Sequence, residues 1–316
     1  MFFKLLNYRF KKNFIFPLIV LSSFLCISSK VSAEEPKELM ALYIKAIDLY
    51  FNAAREEDQS KKKLLYKEAL DKTDFILKIA PNYSKALSLR SEIKLYSNVS
   101  LSDPTLTYQR DLEGALKDIN KAIKIDPQQD DYFNQRGKVY NKIWEITNLK
   151  LNSFTWSFST GGDINNCKNI KYYSYCDKKL DEERKLELKN LLNKIRKDAY
   201  ENAINDYQTA IDLRKKNVNS IGQMWIKPDG IYFSRGYLYF QNKEHKKAID
   251  DFNQAIRYEE RDNFFYRTMR SLANIELGNI KGFCRDYNFI NNFDPSAQEY
   301  EWAWSSHQKL IKENCS

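Results

Sequence analysis

Apolar residues recur every three or four positions along most of the chain, which is the spacing of one face of an α-helix. Ala115, Ile119 and Ala122 follow these steps, and Pro127 comes five residues later. Four other segments repeat the spacing, two of them with the closing proline: Ala69, Thr73, Ile76, Pro81; Phe283, Tyr287, Ile290, Pro295; Ala203, Tyr207, Ala210; and Ala248, Phe252, Ala255. Each segment predicts an amphipathic helix with one buried stripe.

An arginine followed by a small residue marks a second kind of helix. The pair occurs at Arg90-Ser91, Arg136-Gly137, Arg235-Gly236 and Arg270-Ser271. From Gly236 to Ala248, and again from Ser271 to Phe283, the separation is 12 residues. Small residues let two antiparallel helices approach to the short end of the roughly 8–10 Å packing range. The two kinds of segment together therefore predict helical hairpins.

This order of small, large, small and Pro resembles the tetratricopeptide repeat family, whose unit of about 34 residues is a helix-turn-helix. The resemblance is clearest from Gly230 to Glu260. It implies an all-α superhelix, or solenoid, of about five hairpins and a capping helix at about 298–313. The units fall at roughly 37–83, 84–129, 130–217, 229–262 and 264–297. Insertions at about 97–110 and 148–180 separate the helices of two units, and the second helix of unit three is expected to be unusually long.

In this family the first helices of the units line a concave groove. By resemblance, the groove residues are Asn134, Lys138 and Asn141 in unit three and Phe233, Tyr237 and Phe240 in unit four. Some relatives clamp the terminal carboxylate of a peptide with Lys and Asn, and Asn134 and Lys138 are these residue types, four apart. Aromatic residues at helical spacing are more often core than ligand contact, so packing is the alternative for the three aromatics.

The N-terminus has the three parts of a secretory signal peptide. A basic region precedes an apolar stretch from Phe14 to Ile27, and Val31-Ser32-Ala33 precedes Glu34. Cleavage is expected after Ala33, which leaves residues 34–316 as an exported chain, periplasmic or secreted. The alternative is an uncleaved membrane anchor, but spanning a bilayer takes about 20 apolar residues, and Pro17 interrupts this shorter stretch.

The positive charge of the chain is concentrated in that N-terminal segment. Five of the 51 Lys and Arg residues lie in the first 33 residues, which contain no acid. The remainder has 46 basic and 42 acidic residues, a net charge of +4. Lys and Glu alternate along the helices, as on a solvated helix surface. Export and this modest charge disfavour a nucleic-acid partner.

Export also permits disulfides, because the compartment is oxidising. Four cysteines remain in the expected mature chain: Cys167, Cys176, Cys284 and Cys315. Three pairings are open, and proximity favours Cys167 with Cys176 and Cys284 with Cys315. Alternatively, Cys284 is a small buried apolar residue.

The insertion at 148–180 is rich in aromatic residues, including Trp156, Tyr172 and Tyr173. One interpretation is a disulfide-stapled recognition loop, since rigid aromatic side chains supply contact area at low entropic cost. The other is that these rings pack the loop against its own long helix. The sequence leaves both open.

Catalytic machinery is sparse in this sequence. The two histidines, His245 and His307, lack partners at metal-ligand spacing. No Gly-rich phosphate loop is found, because Gly161-Gly162 lacks the Lys that follows such a loop. We therefore expect a non-enzymatic scaffold that binds a protein or peptide, without a small-molecule cofactor or metal. Assembly of an envelope or secretion complex is one role that such a scaffold would serve. The rival hypothesis is a hydrolase or lytic factor that uses carboxylates of the groove and the insertion, such as Asp163.

Overall fold

The structure is a computed structural model that describes residues 37–97, 106–159, 182–221, 227–259, 263–293 and 301–315. These residues form helices and turns, with no strand among them. The helices are α1 (Lys37–Arg55), α2 (Gln59–Ile79), α3 (Ser84–Tyr96), α4 (Leu106–Ile125), α5 (Asp130–Ser159), α6 (Glu182–Ile221), α7 (Asp229–Gln241), α8 (His245–Tyr258), α9 (Phe264–Glu276), α10 (Ile280–Phe293), α11 (Glu301–Trp304) and α12 (Gln308–Asn314). The prediction of an all-α fold is confirmed.

The helices belong to two compact units, one containing α1 to α4 and the other α5 to α12. In the first unit, α1 pairs with α2 as hairpin one and α3 pairs with α4 as hairpin two, while α2 contacts α3. In the second unit, α5 pairs with α6 as hairpin three, α7 with α8 as hairpin four, and α9 with α10 as hairpin five. Helix α7 also contacts α6, and α9 contacts α8. Within each unit, neighbouring hairpins thus pack against one another, as the repeats of repeat proteins do.

Small residues set the approach of the paired helices. A Cβ atom placed on Gly137 would lie 2.8 Å from Cε1 of Tyr207, and one placed on Gly236 would lie 3.0 Å from Cε1 of Phe252. Tyr207 and Phe252 are themselves fully buried. The aromatic ring of the second helix therefore occupies the space that a side chain on the first helix would need.

We expect Gly236→Ala to lower the free energy of unfolding by about 1–3 kcal/mol, the usual cost of overpacking. The added methyl would also lie 2.9 Å from Cβ of Asp251, so helix α8 would have to shift. Gly230→Ala is the matched control on the same helix, because no atom of the described residues lies within 4 Å of its Cβ position. That control should leave stability unchanged or raise it by up to about 1 kcal/mol. Urea unfolding followed by circular dichroism measures both, and equal effects would contradict this account of the glycine.

Hairpins two to five are each closed by a buried, bidentate Arg–Asp pair. The pairs are Arg90–Asp118, Arg136–Asp206, Arg235–Asp251 and Arg270–Asp286. Nε donates to Oδ2 at 2.8 Å in all four, and Nη2 donates to Oδ1 at 2.5 to 2.7 Å. The four aspartates are at most 4% exposed. Fork-to-fork geometry of this kind gives strong, charge-assisted hydrogen bonds, and those that Asp206 accepts from Arg136 raise the pKa of Arg136.

Three of these arginines also reach the preceding hairpin. Their Nη1 atoms donate to a polar residue on its second helix: Arg90 to Asp74 at 2.7 Å, Arg235 to Gln208 at 2.5 Å, and Arg270 to Asn253 at 2.6 Å. Each acceptor directly follows the residue at the centre of the apolar stripe, which is Thr73, Tyr207 or Phe252. One guanidinium therefore joins the two helices of its own hairpin and a neighbouring hairpin of the same unit.

The structure corrects two predicted boundaries. Helix α4 begins at Leu106, so residues 106–110 are helical and not part of the first insertion. Helix α5 continues to Ser159, which places the backbone of Trp156 in a helix and not in a loop. Its extension is possible because the sequence contains no Gly or Pro between Asn148 and Ser159.

The C-terminal cap is also not one helix. It consists of α11, a 3₁₀ turn at Ser305–His307, and α12. Adjacent serines favour such an interruption, because their hydroxyls compete with the backbone for hydrogen bonds. The long second helix expected in hairpin three is observed, since α6 has 40 residues.

Candidate functional site

Asn134, Lys138 and Asn141 lie on one face of helix α5, because steps of four and three residues return to the same side of a helix. All three are half-buried. The Oδ1 atoms of Asn134 and Asn141 are buried and accept no hydrogen bond from the part of the chain that the structure describes. Two amide groups on this face thus hold an acceptor that is removed from water and not paired.

Glu145 continues this face by one further turn. Its Oε2 atom accepts a hydrogen bond from Nζ of Lys142 at 3.0 Å, and its Oε1 atom accepts one from Nε2 of Gln241 at 3.4 Å. Gln241 ends helix α7, so the contact joins the first helices of hairpins three and four. The sequence interpretation missed both residues, although the spacing of four from Asn141 to Glu145 was a signal that could have found the carboxylate.

Among the three aromatics predicted to line a groove, Tyr237 interacts electrostatically with this carboxylate. Its ring stacks on that of Phe233, with 6.2 Å between the centroids. Burial, and secondly the negative charge of Glu145, raise the pKa of Tyr237 above its ordinary value. The phenol is therefore neutral near pH 7 and can act as a hydrogen-bonding group beside the polar face of α5.

Phe233 and Phe240 are placed in packing contacts. The ring of Phe233 lies 5.1 Å from those of Phe265 and Tyr266 and 5.8 Å from that of Phe252. Phe240 meets the ring of His245 edge-on, with the centroids 5.4 Å apart. For these two rings the structure therefore favours packing over ligand contact. Phe233 packs at the junction between hairpins four and five, and Phe240 packs at the turn of hairpin four.

Several predicted residues lie outside the described part of the chain: the signal peptide, Asp163, Cys167, Tyr172, Tyr173 and Cys176. Nothing is described of the side chain of Trp156 either. Cys284 and Cys315 are joined as a disulfide, with their Cα atoms 4.9 Å apart. Both are buried in one cluster with Phe283, Trp304 and Ile311, so this bond attaches the C-terminal helices to α10.

Among the described residues, no group of three His, Cys, Asp or Glu side chains could hold a metal ion. Both histidines contact aromatic rings: His245 lies beside Phe240, and His307 lies 6.2 Å from Phe283. Within the same ranges, every helix is too short or too polar to cross a bilayer.

Comparison with protein families matches residues 230–262 to the family described as tetratricopeptide repeat. One solved structure with a similar fold is TTC0263, a thermophilic TPR protein of Thermus thermophilus. It is 14% identical to this chain, and its TM-score is 0.49. The alignment covers 85% of this chain and 97% of TTC0263. MamA is 14% identical, covers 86% and 97%, and has a TM-score of 0.40. PilW, described as a type IV pilus biogenesis factor, is 12% identical, covers 84% and 98%, and has a TM-score of 0.37. No curated protein matches the chain.

The matched residues cover α8 and all of α7 except Asp229, which together form the hairpin where the sequence resemblance was clearest. The match supports the tetratricopeptide repeat family, whose members generally bind protein partners and are typically not catalytic. No enzyme family is indicated by the comparisons.

Proposed function

We propose that this chain is an exported scaffold that binds a peptide segment of another protein on the face formed by Asn134, Lys138 and Asn141. The unpaired amide oxygens of Asn134 and Asn141 are the observation that carries the proposal. A buried acceptor without a partner costs the folded protein about 1–3 kcal/mol, so a ligand that pairs with it recovers free energy on binding. The two amides flank the lysine, and Tyr237 and Glu145 border the same surface.

Amide side chains suit an extended peptide, because each offers one acceptor and two donors and can pair with backbone N–H or C=O groups. Rotation about the Cβ–Cγ bond exchanges the positions of the amide oxygen and nitrogen. The oxygens of Asn134 and Asn141 accept no hydrogen bond from the described residues, so this rotation breaks none at the oxygen. Lys138 adds a positive charge for a carboxylate of the peptide. The site requires no cofactor and carries out no chemistry.

We further propose that the chain acts outside the cytoplasm, helping to assemble an envelope or secretion complex. The basic and apolar segment before Glu34 supports export. The pairing of Cys284 with Cys315 also fits an oxidising compartment, where such bonds persist.

Site-specific photo-crosslinking in the native cell tests both proposals together. A photo-reactive amino acid at Asn141 should yield a protein adduct, and the adducted chain should begin at Glu34 when its N-terminus is sequenced. The same amino acid at Lys189, which is exposed on α6, is the control and should yield no such adduct.

Adding Asn134→Ala and Lys138→Ala should reduce the adduct at Asn141 by about tenfold or more, since two hydrogen-bonding side chains are lost. The circular dichroism spectrum should not change, because the Oδ1 atom of Asn134 accepts no hydrogen bond from the described residues. Equal adducts from Asn141 and Lys189, or an adduct that persists in the double variant, would contradict the groove site. An adducted chain that retains residues before Glu34 would contradict processing alone.

A further inference from the structure

Three arginine side chains converge on the single carboxylate of Asp286 in hairpin five. Arg270 from α9 forms the bidentate pair, with Nη2 2.5 Å from Oδ1 and Nε 2.8 Å from Oδ2. Nη1 of Arg267 lies 3.5 Å from the same Oδ1 atom, and Nε of Arg285 lies 3.7 Å from it. Asp286 is fully buried. One negative charge therefore faces three positive charges.

Hairpins two to four provide an internal comparison, because each has the same Arg–Asp pair. Three residues before the paired arginine, where hairpin five has Arg267, they have Leu87, Phe133 and Tyr232. Immediately before the aspartate, where hairpin five has Arg285, they have Lys117, Asn205 and Asp250. In hairpin two, the additional cation Lys94 is offset by the additional acid Asp74. The excess of two arginines is thus a property of hairpin five and not of the pair.

The two additional arginines are held differently. The side chain of Arg267 is 18% exposed, and its guanidinium lies over the ring of Phe289 at 3.8 Å while Nε donates to Oδ1 of Asn263 at 2.8 Å. Burial, and then the charge of Arg270, lower the pKa of Arg267. Arg285 is 62% exposed.

Asp286 is the only acid in the described chain within ion-pair distance of Arg267 or Arg285. A guanidinium group supplies five donors in a rigid fork that matches a carboxylate, and a part-buried charge without its own counter-ion is unfavourable. Arg267 is fixed in orientation by its ring and amide contacts, whereas Arg285 can approach a ligand from solvent. Together they form the protein half of a second carboxylate site.

We propose that Arg267 and Arg285 bind a carboxylate from an acidic segment of a partner protein. The bound carboxylate accepts hydrogen bonds from guanidinium groups, as Asp286 does from Arg270. It reduces the summed charge of the three arginines and Asp286 from +2 to +1. The site lies on α9 and α10, whereas the amide face lies on α5. It therefore goes beyond the proposed peptide face and stands independently of it.

Isothermal titration of the full mature chain with acetyl-Glu-Glu-Glu-amide, at constant ionic strength, tests the proposal. Arg285→Gln should weaken binding of this peptide by about tenfold, because it removes a charge-assisted fork from an exposed position. Lys281→Gln removes the same charge from an exposed residue of the same helix and should change binding less than twofold, roughly the limit of what a solvated charge contributes here. Arg285→Lys should fall between wild type and Arg285→Gln, since the charge remains and the fork is lost.

Acetyl-Gln-Gln-Gln-amide and inorganic phosphate are the ligand controls. The glutamine peptide should not bind, and phosphate should bind no more tightly than the glutamate peptide. The proposal is overturned if the wild-type chain does not bind the glutamate peptide, if Arg285→Gln and Lys281→Gln behave alike, or if only phosphate binds. Melting curves for each variant separate loss of binding from loss of folding.

Discussion

Asp251→Ala should lower the free energy of unfolding by about 3–5 kcal/mol, the cost of removing one partner of a buried ion pair. Arg235 would then lose both hydrogen bonds to the carboxylate, at 2.7 and 2.8 Å, while its guanidinium stays within the hairpin. Its remaining side-chain acceptor is Gln208, which carries no charge. The midpoint of urea unfolding, followed by far-ultraviolet circular dichroism, measures the loss.

The adjacent residue provides the control for this change. Asp250 is exposed, so Asp250→Ala should alter the free energy of unfolding by no more than about 0.5 kcal/mol. The double variant Arg235→Met with Asp251→Leu should recover most of the loss, because apolar residues of similar volume often replace a buried ion pair at little cost. Comparable losses at Asp250 and Asp251 would show that the pair does not hold the hairpin together.

Replacing Cys284 and Cys315 with serine should cost about 2–4 kcal/mol, the usual contribution of a disulfide that closes a loop of this order. The bond spans 31 residues and anchors the helices that carry Trp304 and Ile311. Without it, the C-terminal segment should open more often, and the amides of α12 should exchange with deuterium sooner than those of α8. Hydrogen exchange read by mass spectrometry measures this local effect.

Treatment with a dithiol reductant, compared between the wild-type protein and the double-serine variant, separates the effect of this bond from that of any other in the chain. It should shift the exchange of α12 in the wild-type protein and leave it unchanged in the double-serine variant. Serine replacements at Cys167 and Cys176 are the matched control and should not affect α12. If α12 exchanges equally fast with and without Cys284 and Cys315, the bond does not secure the cap.

Much of the fold could be predicted because its signals are local. The spacing of the apolar stripes predicted the helices, and the small residues Gly137 and Gly236 predicted where helices approach. The boundaries that were wrong, at Leu106 and Ser159, lie in segments where neither helix nor loop has a strong sequence pattern. The choice there is made by whether Gly or Pro interrupts the helix.

The candidate site was predicted in part. Asn134, Lys138 and Asn141 share a face as their spacing indicates, because that is a property of one helix. The roles of Phe233 and Phe240 could not be deduced in the same way, since they depend on contacts with Phe265 in the next hairpin and with His245 across a turn. An aromatic stripe has the same spacing whether it faces a ligand or a neighbouring helix.

The sequence by itself determined the helical hairpins, through periodicity and small residues that act within a few turns of the chain. Only the tertiary structure decided the partners of the repeated arginines. The Arg–Asp separation is 16 residues in hairpins four and five, but 28 in hairpin two and 70 in hairpin three. The pairs form because packing brings the same turns of the two helices together whatever the length of the connection, and linear distance carries no record of that register.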